Sequence, residues 1–221
     1  KLKPFGSWYF YLPSIMRAIG ELKRQGILPE EFLKIIQKEK KAFLVIKDLY
    51  HKSGVHKGKM KGKYIGMQKN IDRNKELAIV YRDYQLILRK SRFYDYSDMI
   101  MQFMLVLESN NELLLTLQEQ YLYILVDEHQ DTNSAQNRIL ELLANYHKNP
   151  NLFIVGDEKQ AIFRFQGASL ENFLYFKNLY KNIKLIALKY NYRSTQTILN
   201  AAFNLNSNTN KPIAKANHPK L

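Results

Sequence analysis

The sequence lacks two features that would place a chain of 221 residues in a special class. It has no cysteine, which excludes a disulfide framework and any zinc or iron–sulfur site held by cysteine ligands. Long apolar runs are also missing, since stretches such as Ile124–Val126 and Leu152–Val155 are far shorter than a membrane span. The first residues carry no signal-peptide pattern. We therefore expect a soluble, cytoplasmic protein.

Acidic residues are scarce, and the scarcity is uneven along the chain. The sequence has 34 Lys and Arg against 20 Asp and Glu, a formal net charge of +14. Residues 1–90 contain 21 of the basic and 8 of the acidic residues, whereas residues 91–221 are nearly neutral. This asymmetry favours a polyanionic partner, either nucleic acid or an anionic membrane surface, over a merely solvated lysine-rich face.

One basic stretch combines lysine with regularly spaced glycine. Glycines recur every four residues at Gly54, Gly58, Gly62 and Gly66, and residues 51–69 contain six lysines and no acidic residue. We expect a mobile loop here. Two interpretations stay open, namely disorder and a dedicated phosphate-binding role.

The remaining pattern changes from helical to alternating along the chain. Apolar periodicity predicts a helix that ends near Gly26 and another that starts near Pro29, followed by helices over 73–89 and 96–107. Further on, apolar runs alternate with helix-like stretches at 133–146 and 169–181. These runs lie at 121–128, 152–157 and 184–194. Since the runs are apolar along their whole length, the sequence predicts an α/β fold in which a parallel sheet, buried on both faces, follows a mainly helical part.

Two adjacent carboxylates follow the first of the apolar runs. The segment VDEHQDTN, residues 126–133, places Asp127 and Glu128 where a strand of an open α/β sheet would end, and such sheets bind ligands at that edge. Carboxylates there suit nucleotide hydrolysis, in which one holds Mg²⁺ and the other orients or deprotonates the attacking water. A pair of surface acids that merely ends a strand is the alternative.

Three segments in order resemble motifs of the UvrD/Rep-like DNA helicases of superfamily 1. VDEHQDTN resembles motif II, VGDEKQAIFRFQGA (155–168) resembles motif III, and LKYNYRST (188–195) resembles motif IV. YDYSDMI (94–100) resembles the segment that precedes motif II, and residues 12–32 resemble the helical insertion of the first motor domain. The resemblance extends from about residue 10 to residue 205 and implies part of a RecA-like P-loop NTPase sheet.

The resemblance also implies roles in ATP hydrolysis. Asp127 would coordinate Mg²⁺, and Glu128 would activate the hydrolytic water. Gln160 would sense the γ-phosphate with an amide that both donates and accepts hydrogen bonds. Arg193 would contact the γ-phosphate and stabilise charge in the transition state, and Tyr192 would stack on adenine. ATP and Mg²⁺ are thus the implied ligands.

Motif III implies contacts with DNA. Phe163 and Phe165 alternate around Arg164, so the two rings point the same way in an extended segment. Stacking on unpaired bases is sequence-tolerant, and the resemblance favours Phe165 for this contact. The motif departs from the family at Ala161 and Gln166, where serine and arginine are common. The second departure removes one positive charge from the expected DNA track.

No G-x-x-x-x-G-K-[ST] motif occurs in the 221 residues, so the phosphate-cradling P-loop is absent from them. We expect an internal fragment of a helicase that has little ATPase by itself and needs the P-loop segment and second motor domain of the same parent chain. The expected domains are a basic insertion at 1–90, a motor portion at 91–200, and the start of a crossing at 201–221.

The implied partners are single-stranded DNA and duplex junctions, and no membrane. Membrane-surface binding ranks low because no amphipathic basic helix with an aromatic face is evident. The parent would be an ATP-dependent DNA helicase. The alternative is a non-catalytic nucleic-acid-binding module derived from a helicase.

Overall fold

A computed structural model describes residues 9–146, 150–157, 174–206 and 215–216. The chain divides into two compact units, Lys1–Phe176 and Lys177–Leu221. The helices are α1 Leu12–Arg24, α2 Pro29–Leu44, α3 Gly62–Lys90, α4 Tyr96–Ser109, α5 Asn111–Gln120, α6 Ser134–Ala144, α7 Tyr175–Leu179 and α8 Gln196–Asn206. The strands are β1 Ile124–Val126, β2 Leu152–Ile154, β3 Tyr190–Asn191 and β4 Lys215–Ala216.

Glycine and proline separate α1 from α2, as the sequence predicts. Gly26 adopts a φ of 72°, and the amide of Ile27 donates to the carbonyl of Leu22 at 2.9 Å, which closes the end of α1. Pro29 occupies the first turn of α2, where its missing N–H costs nothing. The Glu31 carboxylate accepts from the amide of Leu28 at 3.1 Å and so satisfies an unpaired donor at the helix start.

The helical region, residues 12–90, forms its own apolar core. Helices α2 and α3 pack against each other. The buried side chains are Phe32, Ile36, Phe43, Leu49, Ile71 and Ala78. Phe32, Ile36 and Phe43 share one face of α2, and the lysines Lys38, Lys40 and Lys41 of the same helix are exposed.

The basic stretch is more ordered than the sequence predicts. Residues 62–69 are the first turns of α3, so the predicted loop is wrong for that part. Residues 50–60 form a small hairpin in which the amide of His51 donates to the carbonyl of Lys59 at 3.0 Å. Asp48 pairs with Lys61 and with Lys63, which anchors the start of α3 although glycine weakens a helix.

A buried ion cluster joins α1, α3 and α4. Lys23, whose side chain is 0% exposed, lies 2.5 Å from Asp95 and 2.8 Å from Asp98. Gln85 donates to Asp98 at 2.9 Å, and the Tyr84 hydroxyl donates to Asp95 at 3.1 Å. Asp95 also caps α4 by accepting from the amide of Asp98. Both aspartates therefore have structural contacts, as a helix cap and as partners of Lys23.

The pKa values in this cluster follow the local charges. Burial acts to raise the pKa of the Asp98 carboxyl, but the hydrogen bonds from Lys23, Gln85 and the Asp95 amide, with the charge of Lys23, lower it below its usual value. Burial and the neighbouring carboxylate of Asp95 raise the pKa of Tyr84 to about 12. The Asp98 carboxylate is therefore favoured in its ionised form beside Lys23.

The strand region, residues 121–133 and 150–157, contains a parallel pair. Residues Leu125 and Phe153 are partners in the register of β1 and β2, and they are 77% and 57% exposed on one face. The other positions of both strands are half-buried. The prediction of strands buried on both faces is wrong here, because in the described part of the chain no layer covers the Leu125 face.

The third predicted strand is shorter than expected. Of residues 184–194, only Tyr190–Asn191 forms a strand, and it pairs in parallel with Lys215–Ala216. Residues 183–189 have no regular secondary structure. The architecture of the described residues is thus mostly helical with small parallel sheets. Among these residues, none of the helices has the length and apolar character needed to cross a membrane.

Candidate active site

Asp127 and Glu128 lie directly after β1, at its carboxyl end. Both residues are exposed. Asp127 Oδ1 accepts from the amide of Glu128 at 2.9 Å, which orients the Asp127 carboxylate. Glu128 adopts left-handed backbone angles, with φ 49° and ψ 40°. A non-glycine residue in this region costs on the order of 1 kcal/mol or more, so the surrounding contacts must hold the turn in place.

Backbone hydrogen bonds supply part of that hold. The amide of Val155 donates to the carbonyl of Val126 at 2.8 Å, and the amide of His129 donates back to the carbonyl of Val155 at 3.0 Å. The turn after β1 is therefore tied to the end of β2 on both sides of Glu128. A single turn of 3₁₀ helix, His129–Asp131, follows.

Gln130 connects the turn to the segment after β2 through its side chain. The residue is 2% exposed. Its Nε2 donates to the Glu128 carboxylate, and its Oε1 accepts from the amide of Asp157 at 3.0 Å. Both ends of the amide are thus used within a buried setting, where unpaired polar atoms are costly.

His129 occupies the interior next to this turn. It is 0% exposed, its Nε2 lies 3.0 Å from Asn137 Oδ1, and its ring lies 5.5 Å from that of Phe176. Thr132 donates to the His129 carbonyl at 2.7 Å and to Asn137 Oδ1 at 3.1 Å. Burial lowers the pKa of the His129 imidazole, although the contact with Asn137 opposes this. The neutral imidazole is favoured, and it packs as a core group.

The end of the motif starts α6. The Asn133 side chain accepts from the amide of Gln136 at 3.0 Å, and the Gln136 side chain accepts from the amide of Asn133 at the same distance. This reciprocal pair satisfies two unpaired donors at the helix start. The eight residues of VDEHQDTN therefore span the end of a strand, a turn and a helix cap.

The carboxylate pair has the chemistry of a magnesium site. Among the described residues, no group of three or more His, Asp or Glu side chains is gathered as a metal site. Mg²⁺ usually takes only one or two protein carboxylates and completes its octahedron with water and substrate phosphates. The exposed carboxylate of Asp127, fixed through one oxygen, fits that requirement.

Tyr192 and Arg193 lie in the second unit, in the turn after β3. Both are exposed. Asn191 Oδ1 accepts from the amides of Arg193 at 2.9 Å and Ser194 at 2.8 Å. This side-chain turn presents the two predicted residues next to each other, ahead of α8.

The remaining predicted site residues, Gln160, Phe163, Arg164 and Phe165, lie outside the described residues. The structure places Asp127 beside Glu128 and Tyr192 beside Arg193. Sequence reasoning missed the supporting residues Gln130, His129, Asn137 and Asn191. The signal for the first was available, because Gln130 belongs to the QDTN segment that carries the resemblance.

Several named helicases are similar to this chain over part of their length. PcrA from Leuconostoc citreum is 41% identical over 139 residues, which cover 63% of this chain and 18% of that protein. Rep from Buchnera aphidicola is 38% identical over 61% of this chain and 20% of its own length. PcrA from Staphylococcus epidermidis is 44% identical over 57% of this chain and 17% of its own length. The alignments thus span about a fifth of these curated relatives, each of which is named an ATP-dependent DNA helicase.

The family model described as the UvrD/REP helicase N-terminal domain matches residues 14–181. The match includes the helical region and the turn that carries Asp127 and Glu128. The mostly helical architecture with a small parallel sheet is compatible with part of an α/β helicase domain. Since the match covers well over half of the sequence, the chain belongs to the UvrD/REP helicase N-terminal domain family.

Proposed function

We propose that this chain is part of the first, RecA-like motor domain of an ATP-dependent DNA helicase. The observation that carries the proposal is the fixed presentation of Asp127 and Glu128 at the carboxyl end of a parallel strand. Open α/β sheets bind their ligands at this edge. The family match and the names of the relatives support the same activity.

Glu128 acts as the base of the reaction. Its carboxylate accepts the proton of the water that attacks the γ-phosphate. Asp127 holds Mg²⁺, which when bound neutralises charge on the phosphates. The two carboxylates have different hydrogen-bond partners, since Asp127 accepts from the amide of Glu128 and Glu128 accepts from the side chain of Gln130, which supports different roles for them.

We assign nucleotide contacts to three further residues. Arg193 stabilises charge on the γ-phosphate, Tyr192 stacks on the adenine, and Gln160 senses the γ-phosphate. The exposure of Tyr192 and Arg193 in the Asn191 turn supports this assignment. The P-loop of the same parent supplies the phosphate cradle, and these 221 residues alone hydrolyse ATP poorly.

DNA contacts come from two places. Phe163 and Phe165 stack on unpaired bases next to Arg164. The basic insertion, residues 1–90, contacts the phosphate backbone, and exposed lysines on α2 and in the hairpin support this: Lys38, Lys40, Lys41, Lys52, Lys57 and Lys59. The parent thus couples ATP hydrolysis to translocation on single-stranded DNA and to unwinding at duplex junctions. Residues 91–200 form the motor portion, and residues 201–221 start the crossing to the second motor domain.

The test is the DNA-stimulated ATPase of the full-length helicase that contains this chain. Glu128→Gln removes the base and retains the shape, so we expect the steady-state rate to fall by about 100-fold or more, as for loss of a general base. Glu119→Gln is the matched control, because Glu119 is exposed on α5, away from the site. Equal rates for the Glu128→Gln variant and the wild type would contradict the proposal.

A second candidate function is a non-catalytic nucleic-acid-binding module. The net charge of +13 in residues 1–90, which include a region with its own core, favours it. DNA binding that weakens with salt, together with no ATPase in the full-length wild type, would support this alternative. DNA-stimulated ATPase in the wild type would exclude it.

A further inference from the structure

Gln130 is buried at the point where the turn after β1 meets the end of β2. It is 2% exposed, although glutamine is usually a surface residue. Its amide nitrogen donates to the Glu128 carboxylate. Its amide oxygen accepts from the backbone of Asp157 at 3.0 Å. One side chain therefore links the proposed base to the backbone that follows β2.

We propose that Gln130 is a positioning residue, which holds the Glu128 carboxylate in the direction needed for hydrolysis and couples it to the backbone at Asp157. The inference rests on the proposed role of Glu128. Asp157 lies three residues before Gln160 in the sequence, so Gln130 links the proposed base to the segment that leads to the predicted γ-phosphate sensor.

The geometry explains why an amide is needed at this position. The nitrogen must donate, because the Glu128 carboxylate has only acceptors, and the oxygen must accept, because a backbone amide has only a donor. Glu128 has left-handed backbone angles, so the carboxylate belongs to a residue whose backbone is strained. A misplacement of about 1 Å at a catalytic group can reduce the rate by about 100-fold.

Three variants of the full-length helicase separate the two ends of this link. Gln130→Met retains the length and removes both hydrogen bonds. Gln130→Glu retains an acceptor for Asp157 but has no donor for Glu128. Gln118→Met is the matched control, because Gln118 is also buried, at 7% exposed, and donates to the Leu142 carbonyl at 2.7 Å, away from the turn.

The kinetic readout is the kcat and KM of the DNA-stimulated ATPase. We expect Gln130→Met and Gln130→Glu to lower kcat by about 10- to 100-fold and to change KM for ATP by less than about 3-fold, because positioning acts on the chemical step. The Gln118→Met variant should retain kcat within about 2-fold. A wild-type kcat in both Gln130 variants, or a change in KM alone, would overturn the proposal.

The second readout is hydrogen exchange of the peptide that contains Asp157, measured in the same proteins without nucleotide. We expect about 5- to 10-fold faster exchange at this amide in Gln130→Met, because one hydrogen bond is lost. Exchange in Gln130→Glu and Gln118→Met should resemble that of the wild type. Unchanged exchange in Gln130→Met would overturn the link to Asp157.

The outcomes also separate this inference from the proposed function. If Glu128→Gln abolishes turnover and the Gln130 variants have wild-type kcat, the positioning role is wrong and the proposed function stands. If Glu128→Gln has wild-type turnover, the proposed function fails. In that case faster Asp157 exchange in Gln130→Met still supports the physical link, while the role in hydrolysis is lost with that of Glu128.

Discussion

The helical region and the strand region bury different kinds of side chain. The main core of the helical region is apolar and contains Phe32, Phe43 and Ile71, while Lys23 is buried apart from it beside Asp95 and Asp98. In the strand region Leu125 and Phe153 are exposed, whereas the polar residues His129 and Gln130 are buried. The first arrangement stabilises a fold through burial of apolar surface, and the second holds a turn in one geometry.

The difference separates the source of stability from the source of chemistry. Removal of an apolar side chain from the helical core should lower the free energy of unfolding. It should not change the geometry of the turn that carries Asp127 and Glu128. Removal of a polar group from the turn should act on the geometry of Asp127 and Glu128. Two substitution pairs and one pH profile test the contributions to stability, and each pair compares the same type of change at a buried and an exposed position.

The largest expected effect comes from phenylalanine. Phe43→Ala in the helical core should lower the free energy of unfolding by about 3–4 kcal/mol, because it leaves a cavity. Phe153→Ala in the strand region should cost under about 1 kcal/mol, since Phe153 is 57% exposed. Urea unfolding of this chain measures both. Equal losses would contradict the comparison.

The second effect concerns the buried ion cluster. Lys23→Met leaves the carboxylates of Asp95 and Asp98 without their cation, and the free energy of unfolding should fall by about 3 kcal/mol. Lys63→Met is the control, because Lys63 pairs with Asp48 in solvent and such pairs contribute little. Urea unfolding at pH 7 compares the two. A loss for Lys63→Met as large as for Lys23→Met would show that burial does not matter here.

The smallest effect is a dependence on pH. The pKa of Asp98 in the folded state is below its usual value of 3.8. Its contribution to the free energy of unfolding is therefore fully present above the usual pKa and is lost as the pH falls through the lowered pKa. Lys23, Asp95, Tyr81 and Tyr84 are charged or titratable groups that lie close to it. We expect the unfolding free energy of the wild type to fall more steeply than that of Asp98→Asn as the pH falls below about 4. Parallel pH profiles would exclude this contribution.

Local sequence patterns predicted the elements whose cause is local. The breaks at Gly26 and Pro29, the helix at residues 96–107 and the placement of Asp127 and Glu128 after a strand all follow from periodicity and turn chemistry. Residues 62–69 were harder, because glycine and lysine there suggest a loop. They are helical because Tyr64 and Ile71 of α3 pack against the apolar core of the helical region.

Tertiary contacts determine the features that the sequence could not predict. The residue types in this turn are typical of a surface loop, but Gln130 and His129 are buried. Gln130 bonds to the backbone after β2, and Phe176 packs against His129. The exposure of Leu125 depends on which layers lie against the sheet, and an apolar run of three residues does not encode that. The roles of Gln160, Phe163, Arg164, Phe165, Tyr192 and Arg193 remain predictions.

Single-turnover hydrolysis of ATP by the full-length helicase tests the central claim most directly, because it separates ATP binding from the chemical step. The Glu128→Gln variant should bind ATP about as tightly as the wild type and hydrolyse it about 100-fold more slowly or worse, while Glu119→Gln should match the wild type. If Glu128→Gln hydrolyses bound ATP at the wild-type rate, Glu128 is not the base, and the turn after β1 is not the hydrolytic centre.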